Sequence, residues 1–179
     1  MHRLQGVGVP YWWHRLVLAD LVSQPLAQDV ELRRANDGDI ALYRQLAQPD
    51  VWRQSAEWLH AGNDLWLVVS RGSQLAFSCW VFRRRMPMGE SRTGWLTMPH
   101  GVVFLEHSVT SADFRGRGIA PGAWSAIGAE LRDEGLQVLF TKVTEENVAT
   151  QRSLAKVGFT RADPDDPVVQ QFASQLRRR

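Results

Sequence analysis

The sequence predicts an α/β fold in one domain, and three stretches carry that expectation. The apolar run Val102 to Val109 reads as a strand, and it feeds a glycine-bearing loop that ends in Arg115-Gly116-Arg117-Gly118 and opens an amphipathic helix. A second strand–helix unit follows, Val138-Leu139-Phe140-Thr141-Lys142-Val143 and then Glu146 to Val157. Upstream, Leu65 to Ser70 and Leu75 to Phe82 flank the turn-like spacer Arg71-Gly72-Ser73-Gln74 and read as a hairpin. A chain of 179 residues, 44% hydrophobic and 22% charged, is long enough to bury a sizeable core as one unit.

The remaining elements follow in order. Val30-Glu31-Leu32-Arg33-Arg34 alternates like a strand, and Asn36 or Asp37 can cap a helix running to about Gln48. Ile40, Leu42, Tyr43 and Leu46 supply that helix with an apolar stripe. A second short helix is expected from Asp50 to about His60, ending at Gly62. The segment Arg83 to His100, with Pro87, Gly89, Gly94 and Pro99, reads as a long connection. The helix from about Gly118 to Glu134 repeats Ile119, Ala123, Ile127 and Leu131 every four residues, and Gly135 stops it. Beyond Phe159, Pro164-Asp165-Asp166-Pro167 interrupts the chain, leaving Val168 to Phe172 as either a short strand or a terminal helix. Residues 1–28 stand as an N-terminal extension ahead of a domain spanning 29–179. Within that extension, Tyr11 to Leu18 either covers a sheet edge or forms a partner surface.

Composition narrows the function. No apolar run approaches the ~18 residues of a membrane helix, and the start, Met1-His2-Arg3-Leu4-Gln5-Gly6, does not lead into an apolar signal core. Cys79 is the single cysteine, which excludes an internal disulfide and a thiolate metal site, and a small core residue is its expected role. The chain therefore reads as cytoplasmic. Five histidines show no metal-ligand spacing, so no metal site is expected. The net charge of +2 is uninformative; Arg83-Arg84-Arg85 and Arg177-Arg178-Arg179 read as a solvated loop and a polar tail rather than a nucleic-acid surface. A second copy of the chain stays open as a partner, in a homodimer.

The loop after Val109 has a physical consequence. A helix's first turn leaves N–H groups without internal partners, and glycines let an anion approach them closely. Arg115 and Arg117 add fixed positive charge suited to phosphate oxygens. A nicotinamide-binding loop is excluded because Pro121 stands where its third glycine belongs, and a phosphate-loop ATPase would need Gly-Lys-Ser/Thr.

Arg115-Gly116-Arg117-Gly118-Ile119-Ala120 resembles the Arg/Gln-x-x-Gly-x-Gly/Ala loop of the GNAT acetyltransferase superfamily, which holds the pyrophosphate of acetyl-coenzyme A (acetyl-CoA). Asn147, followed nine residues later by Lys156 and then Gly158-Phe159, is similar to that family's later Asn-…-Lys-x-Gly-Phe signature. The resemblance is sharp over about residues 100–160. It implies a mixed, mostly antiparallel central sheet with helices on both faces and two further strands after Phe159. It also implies an acetyl-CoA-dependent N-acetyltransferase acting on a primary amine: a small molecule, an amino sugar or a protein amino group. A coenzyme A-binding module without turnover is the alternative.

By this resemblance the donor lies against Ser108, Val109 and Thr110, Arg115 to Ala120, and Asn147, which could equally be a helix cap. Backbone groups near His107, Ser108 and Val109 are exposed where the family's strand splays from its neighbour. Lys156 reads as a helix-end charge. Many members place a tyrosine seven residues after the asparagine as general acid; here that position is Leu154, with Ser153 adjacent but turned away. Glu106 and His107 are the candidate proton acceptors, on the strand the family uses for a base but off its commonest position. A local bulge would restore their facing; a structural carboxylate is the other reading of Glu106. Of the eight tryptophans, Trp66, Trp80 and Trp124 are expected in the core, and Trp12, Trp13, Trp52 and Trp58 near the acceptor.

Overall fold

The computed structural model of the chain describes residues 11–176. The first ten residues and the basic run Arg177-Arg178-Arg179 lie outside them. The expected mixed sheet with helices on both faces is present. Its seven strands are β1 (Tyr11–Val17), β2 (Val30–Arg34), β3 (Asp64–Ser70), β4 (Leu75–Phe82), β7 (Val102–Thr110), β8 (Val138–Thr144) and β9 (Thr160–Arg161). They run in the order β2-β3-β4-β7-β8-β1-β9. Only β7 and β8 pair in parallel.

Period-two alternation sorts the side chains into two cores. Val103 and Leu105 of β7 and Leu139 of β8 pack under α4 (Ile119–Asp133) and α5 (Val148–Val157), against Ile119, Ile127, Leu131 and Leu154. On the other face, Phe104, Phe140 and Trp13 pack with Trp80, Phe82, Tyr43, Trp58 and Phe172. Trp66, Trp80, Trp124 and Cys79 are buried, as expected from sequence.

Several elements differ from the sequence expectation. The helix expected up to Gln48 is short. Asn36 and Asp39 form a capping box, a single 3₁₀ turn follows, and α1 spans only Ile40–Tyr43 before turns carry the chain to Gln48. Gln48 is extended (φ −64°, ψ 147°) because it precedes Pro49, whose ring disfavours helical backbone in the residue before it. The second expected helix divides into α2 (Pro49–Trp52) and α3 (Ser55–His60). The long connection from Arg83 contains a two-stranded ribbon, β5 (Arg85–Pro87) with β6 (Trp95–Thr97). Its Arg83 is bound by Asp64 and Glu134 rather than solvated.

The sheet beyond β8 is completed differently from what the resemblance implies. After Phe159 the chain supplies only the two residues of β9 and then a helix, α6 (Pro167–Gln175), which Asp166 caps. The place beside β8 is taken by β1 from the other end of the sequence, paired over seven residues from Tyr11↔Thr144 to Val17↔Val138. Leu16 and Trp13 anchor β1 in the two cores. Arg15 bridges to Asp166, tying the strand to the cap of α6.

Candidate active site

Strands β7 and β8 pair only from Val102↔Val138 to Leu105↔Thr141. Beyond that point β7 stays with β4, through Trp80↔Glu106 and Phe77↔Thr110, and leaves β8. The gap opens a cavity of about 830 Å³ lined by Glu106 to Thr110, Arg115, Gly116, Gly118 to Ala120, Lys142 and Asn147, with others. Nearly all the residues singled out from sequence thus converge on one space.

The loop side of this cavity suits an anion. Gly116 and Gly118 have φ of 75° and 73°, the left-handed region, and a Cβ on either would meet nothing within 4 Å. Among the described residues, the N–H groups of Gly116, Arg117, Gly118, Ile119 and Ala120 have no backbone acceptor, since the first internal bond of α4 runs from Gly122 to Gly118. These donors fit a pyrophosphate. Arg115 lines the cavity, with its Nε 3.4 Å from the Thr110 carbonyl. The Arg117 side chain goes elsewhere: it donates to both carboxylate oxygens of Asp29, at 2.9 and 2.7 Å, and is not part of the lining. The guanidinium holds the Asp29 carboxyl below its ordinary range.

Asn147 is a helix cap that stands at the cavity's edge. Its Oδ1 accepts from the Thr150 N–H at 3.1 Å, capping α5, and the residue also borders the cavity. Leu154 is buried among apolar side chains, and the Ser153 hydroxyl donates to the Ala149 carbonyl. Neither offers a free acid.

The other wall carries the titratable groups. The β4–β7 register shifts between Ser78 and Trp80, so two β7 residues stand against Cys79, and His107 takes a φ of 53°. The bulge turns His107 onto the face that Glu106 already shares with Phe104 by regular alternation, and brings neither residue to the side of Val103 and Leu105. Both turn toward the Trp58 side, where His107 stacks on Trp58, while Ser108 faces α4 and accepts from Trp124 Nε1 at 3.2 Å. Burial pushes the Glu106 carboxyl from 4.5 up to about 7, opposed by the Lys142 ammonium and the His107 backbone N–H and reinforced by Glu90. Burial and Lys142 push the His107 imidazole down to about 4, against the pull of Asp50.

Two residues at this wall, Lys142 lining the cavity and Tyr11 behind it, were not singled out from sequence. Lys142 Nζ lies 4.0 Å from Glu106 Oε1, and the Tyr11 ring sits 5.1 Å beneath the same ammonium. Lys142 had a signal, a charge interrupting an apolar strand on the face of Phe140. Tyr11 had none, because its neighbours come from a pairing more than a hundred residues away.

Residues 29–160 match the model of the GNAT acetyltransferase domain, and the chain belongs to that family. No curated protein matches it significantly in sequence. Solved structures share the fold. A tandem GNAT protein from the clavulanic acid biosynthesis pathway superposes with a TM-score of 0.63 at 17% identity, over 90% of this chain and 52% of its own. A GNAT-family acetyltransferase from Colwellia psychrerythraea gives 0.61 at 16%, over 89% and 55%. AAC(6')-Iy, in complex with the bisubstrate analogue CoA-S-monomethyl-acetylneamine, gives 0.60 at 18%, over 75% and 92%. The chain therefore spans about half the length of the first two and most of the third. No described helix is long and apolar enough to cross a membrane, and no described cluster of His, Cys, Asp and Glu could hold a metal ion.

Proposed function

We propose that the chain is an N-acetyltransferase that moves an acetyl group from acetyl-CoA directly to a primary amine. The observation that carries this is the placement of Glu106, a buried carboxyl raised to about 7, at the point where β7 leaves β8 and in the same cavity as the unpaired N–H groups of the 116–120 loop. The loop amides and Arg115 hold the pyrophosphate of the donor, which supplies the acetyl thioester. The free edge of β7 between Glu106 and Thr110 orients it. Glu106 takes the proton that the amine nitrogen loses as it attacks, because an accepting group poised near neutral pH suits that transfer. At about 4, His107 is neutral at pH 7 and a weak base; stacked on the buried Trp58, its ring forms part of the cavity wall.

Leu154 favours a second reading, a module that binds coenzyme A without turnover, since the position many relatives give to a tyrosine acid is apolar here. Two measurements separate them. Thermal unfolding with acetyl-CoA, with NADH as control, tests binding; a ligand at a hundred times its dissociation constant stabilises by about 2.7 kcal/mol. Thiol release with a panel of primary amines tests turnover. Binding with amine-dependent release supports the enzyme. Binding with no release from any amine supports the module.

A further inference from the structure

The reaction also needs an acid, because the coenzyme leaves as a thiolate. We propose that Lys142 is that acid: its ammonium protonates the departing thiolate, and Glu106 then returns to Lys142 the proton it took from the amine. The assignment rests on the acetyltransferase reading above and extends it to the step that Leu154 leaves without a donor.

Four observations converge on Lys142. It lines the same cavity as the 116–120 loop and Asn147. With Glu106 it forms the first register position at which β7 and β8 no longer pair, so its side chain stands at the opening of the gap. At 4.0 Å its Nζ is close enough to Glu106 Oε1 for a proton to pass after a small movement, and the buried Oε1 makes no hydrogen bond to another group. The Tyr11 ring, on the other side of the ammonium, restricts where it can go. Two hydroxyls that could compete are engaged or remote, and Lys156, which also lines the cavity, is on α5 rather than beside Glu106. The Ser153 hydroxyl is committed to Ala149, and the Tyr11 hydroxyl, buried and raised to about 12, is not part of the cavity lining. Lysine presents three N–H donors and no acceptor, which suits donation to sulfur.

The proton balance closes. The amine nitrogen forms a bond to the acetyl carbon, and the carbon–sulfur bond breaks, leaving the electron pair on sulfur. The amine attacks in its neutral form, its ammonium proton having gone to water; as it attacks, one proton goes from nitrogen to Glu106, one from Lys142 to sulfur, and transfer from Glu106 to Lys142 restores both. Glu106 is faced by Lys142 from β8, Glu90 from the ribbon, Tyr11 from β1 and the neighbouring His107.

Lys142→Met keeps the chain length and removes the proton, with Lys142→Gln as a second variant should the first not fold. The donors are acetyl-CoA and p-nitrophenyl thioacetate, whose far more acidic thiol needs no protonation to leave. With acetyl-CoA, turnover falls about 10²-fold or more; with the aryl thioester it falls by less than tenfold. Two readouts are independent of turnover. The calorimetric acetyl-CoA affinity changes by less than threefold, and the ¹³C-carboxyl titration of Glu106 moves to higher pH when the neighbouring cation is lost. Equal losses with both donors, or an unmoved Glu106 titration, overturn the proposal while leaving the acetyltransferase standing. A wild-type chain that transfers acetyl from neither donor overturns the acetyltransferase reading and this assignment with it.

Discussion

His107 lies almost parallel to Trp58, with ring centroids 5.5 Å apart and planes inclined by 16°. The contact exists because the bulge opposite Cys79 gives His107 a φ of 53° and turns it onto the face of Glu106. Two adjacent residues of one strand thereby share a side of the sheet, which regular alternation forbids. The same environment moves their titrations in opposite directions, to about 7 for the acid and about 4 for the imidazole. Desolvation disfavours the charged form of each.

Glu106→Gln is expected to lower turnover by about 10²–10⁴-fold with little change in acetyl-CoA affinity. In the wild type, kcat/KM rises with pH through about 7 as Glu106 ionises, and the variant loses that limb. Initial-rate profiles between pH 5 and 9 check both points.

The same substitution is expected to stabilise the fold above neutral pH. With the folded value raised from 4.5 to about 7, the native state binds more protons than the unfolded chain between those pH values. Stability from Glu106 is therefore full below 4.5 and lost as pH rises through 7, by on the order of 3 kcal/mol. His107 works in the opposite sense, its contribution present above 6.5 and lost as pH falls through about 4. Denaturant unfolding of Glu106→Gln and wild type at pH 5 and 8 should show the variant gaining only at pH 8.

The two loop arginines should separate. Arg115→Ala is expected to weaken acetyl-CoA binding about tenfold or more, the loss of a charge-assisted contact to phosphate. Arg117→Ala should leave the affinity within about threefold, because Asp29 already holds that guanidinium. Calorimetric titration of both variants decides it.

Two glycines at the N-terminal end of α4, one its cap, are expected to fail for different reasons. At Gly122 a Cβ would stand 2.7 Å from the Pro25 carbonyl oxygen and 3.0 Å from Leu26 Cα, so Gly122→Ala forces backbone apart and costs about 1–3 kcal/mol. At Gly118 there is space, and Gly118→Ala costs about 1–2 kcal/mol through its φ of 73° alone. Unfolding midpoints give the first comparison. Acetyl-CoA affinity, reduced only at Gly118, gives the second.

Strand β1 is expected to be part of the core rather than an accessory. Leu16 is fully buried under α4 and α5, so Leu16→Ala should cost about 2–5 kcal/mol. A loss below 1 kcal/mol in equilibrium unfolding would mean the strand contributes little.

The part of the molecule legible in the sequence is the part written in local chemistry. Gly116, Gly118 and Gly158 all sit at positive φ, Asn147 caps α5, and the four-residue repeat of α4 faces the core. What escaped depends on residues far apart in the chain. The pairing of Tyr11 with Thr144 brings an N-terminal strand beside β8, and Asp29 removes Arg117 from the loop it adjoins. The facing of Glu106 toward Lys142 depends on the parallel register of β7 and β8. No periodicity within either strand encodes that register.

The most direct test of the account is calorimetric titration of acetyl-CoA into the wild-type and Gly118→Trp chains, with folding of each verified by circular dichroism. The account predicts one-to-one binding to the wild type and none to the variant, whose indole would occupy the space beside the loop amides. Equal binding to both chains, or no binding to the wild type at millimolar acetyl-CoA, would contradict it.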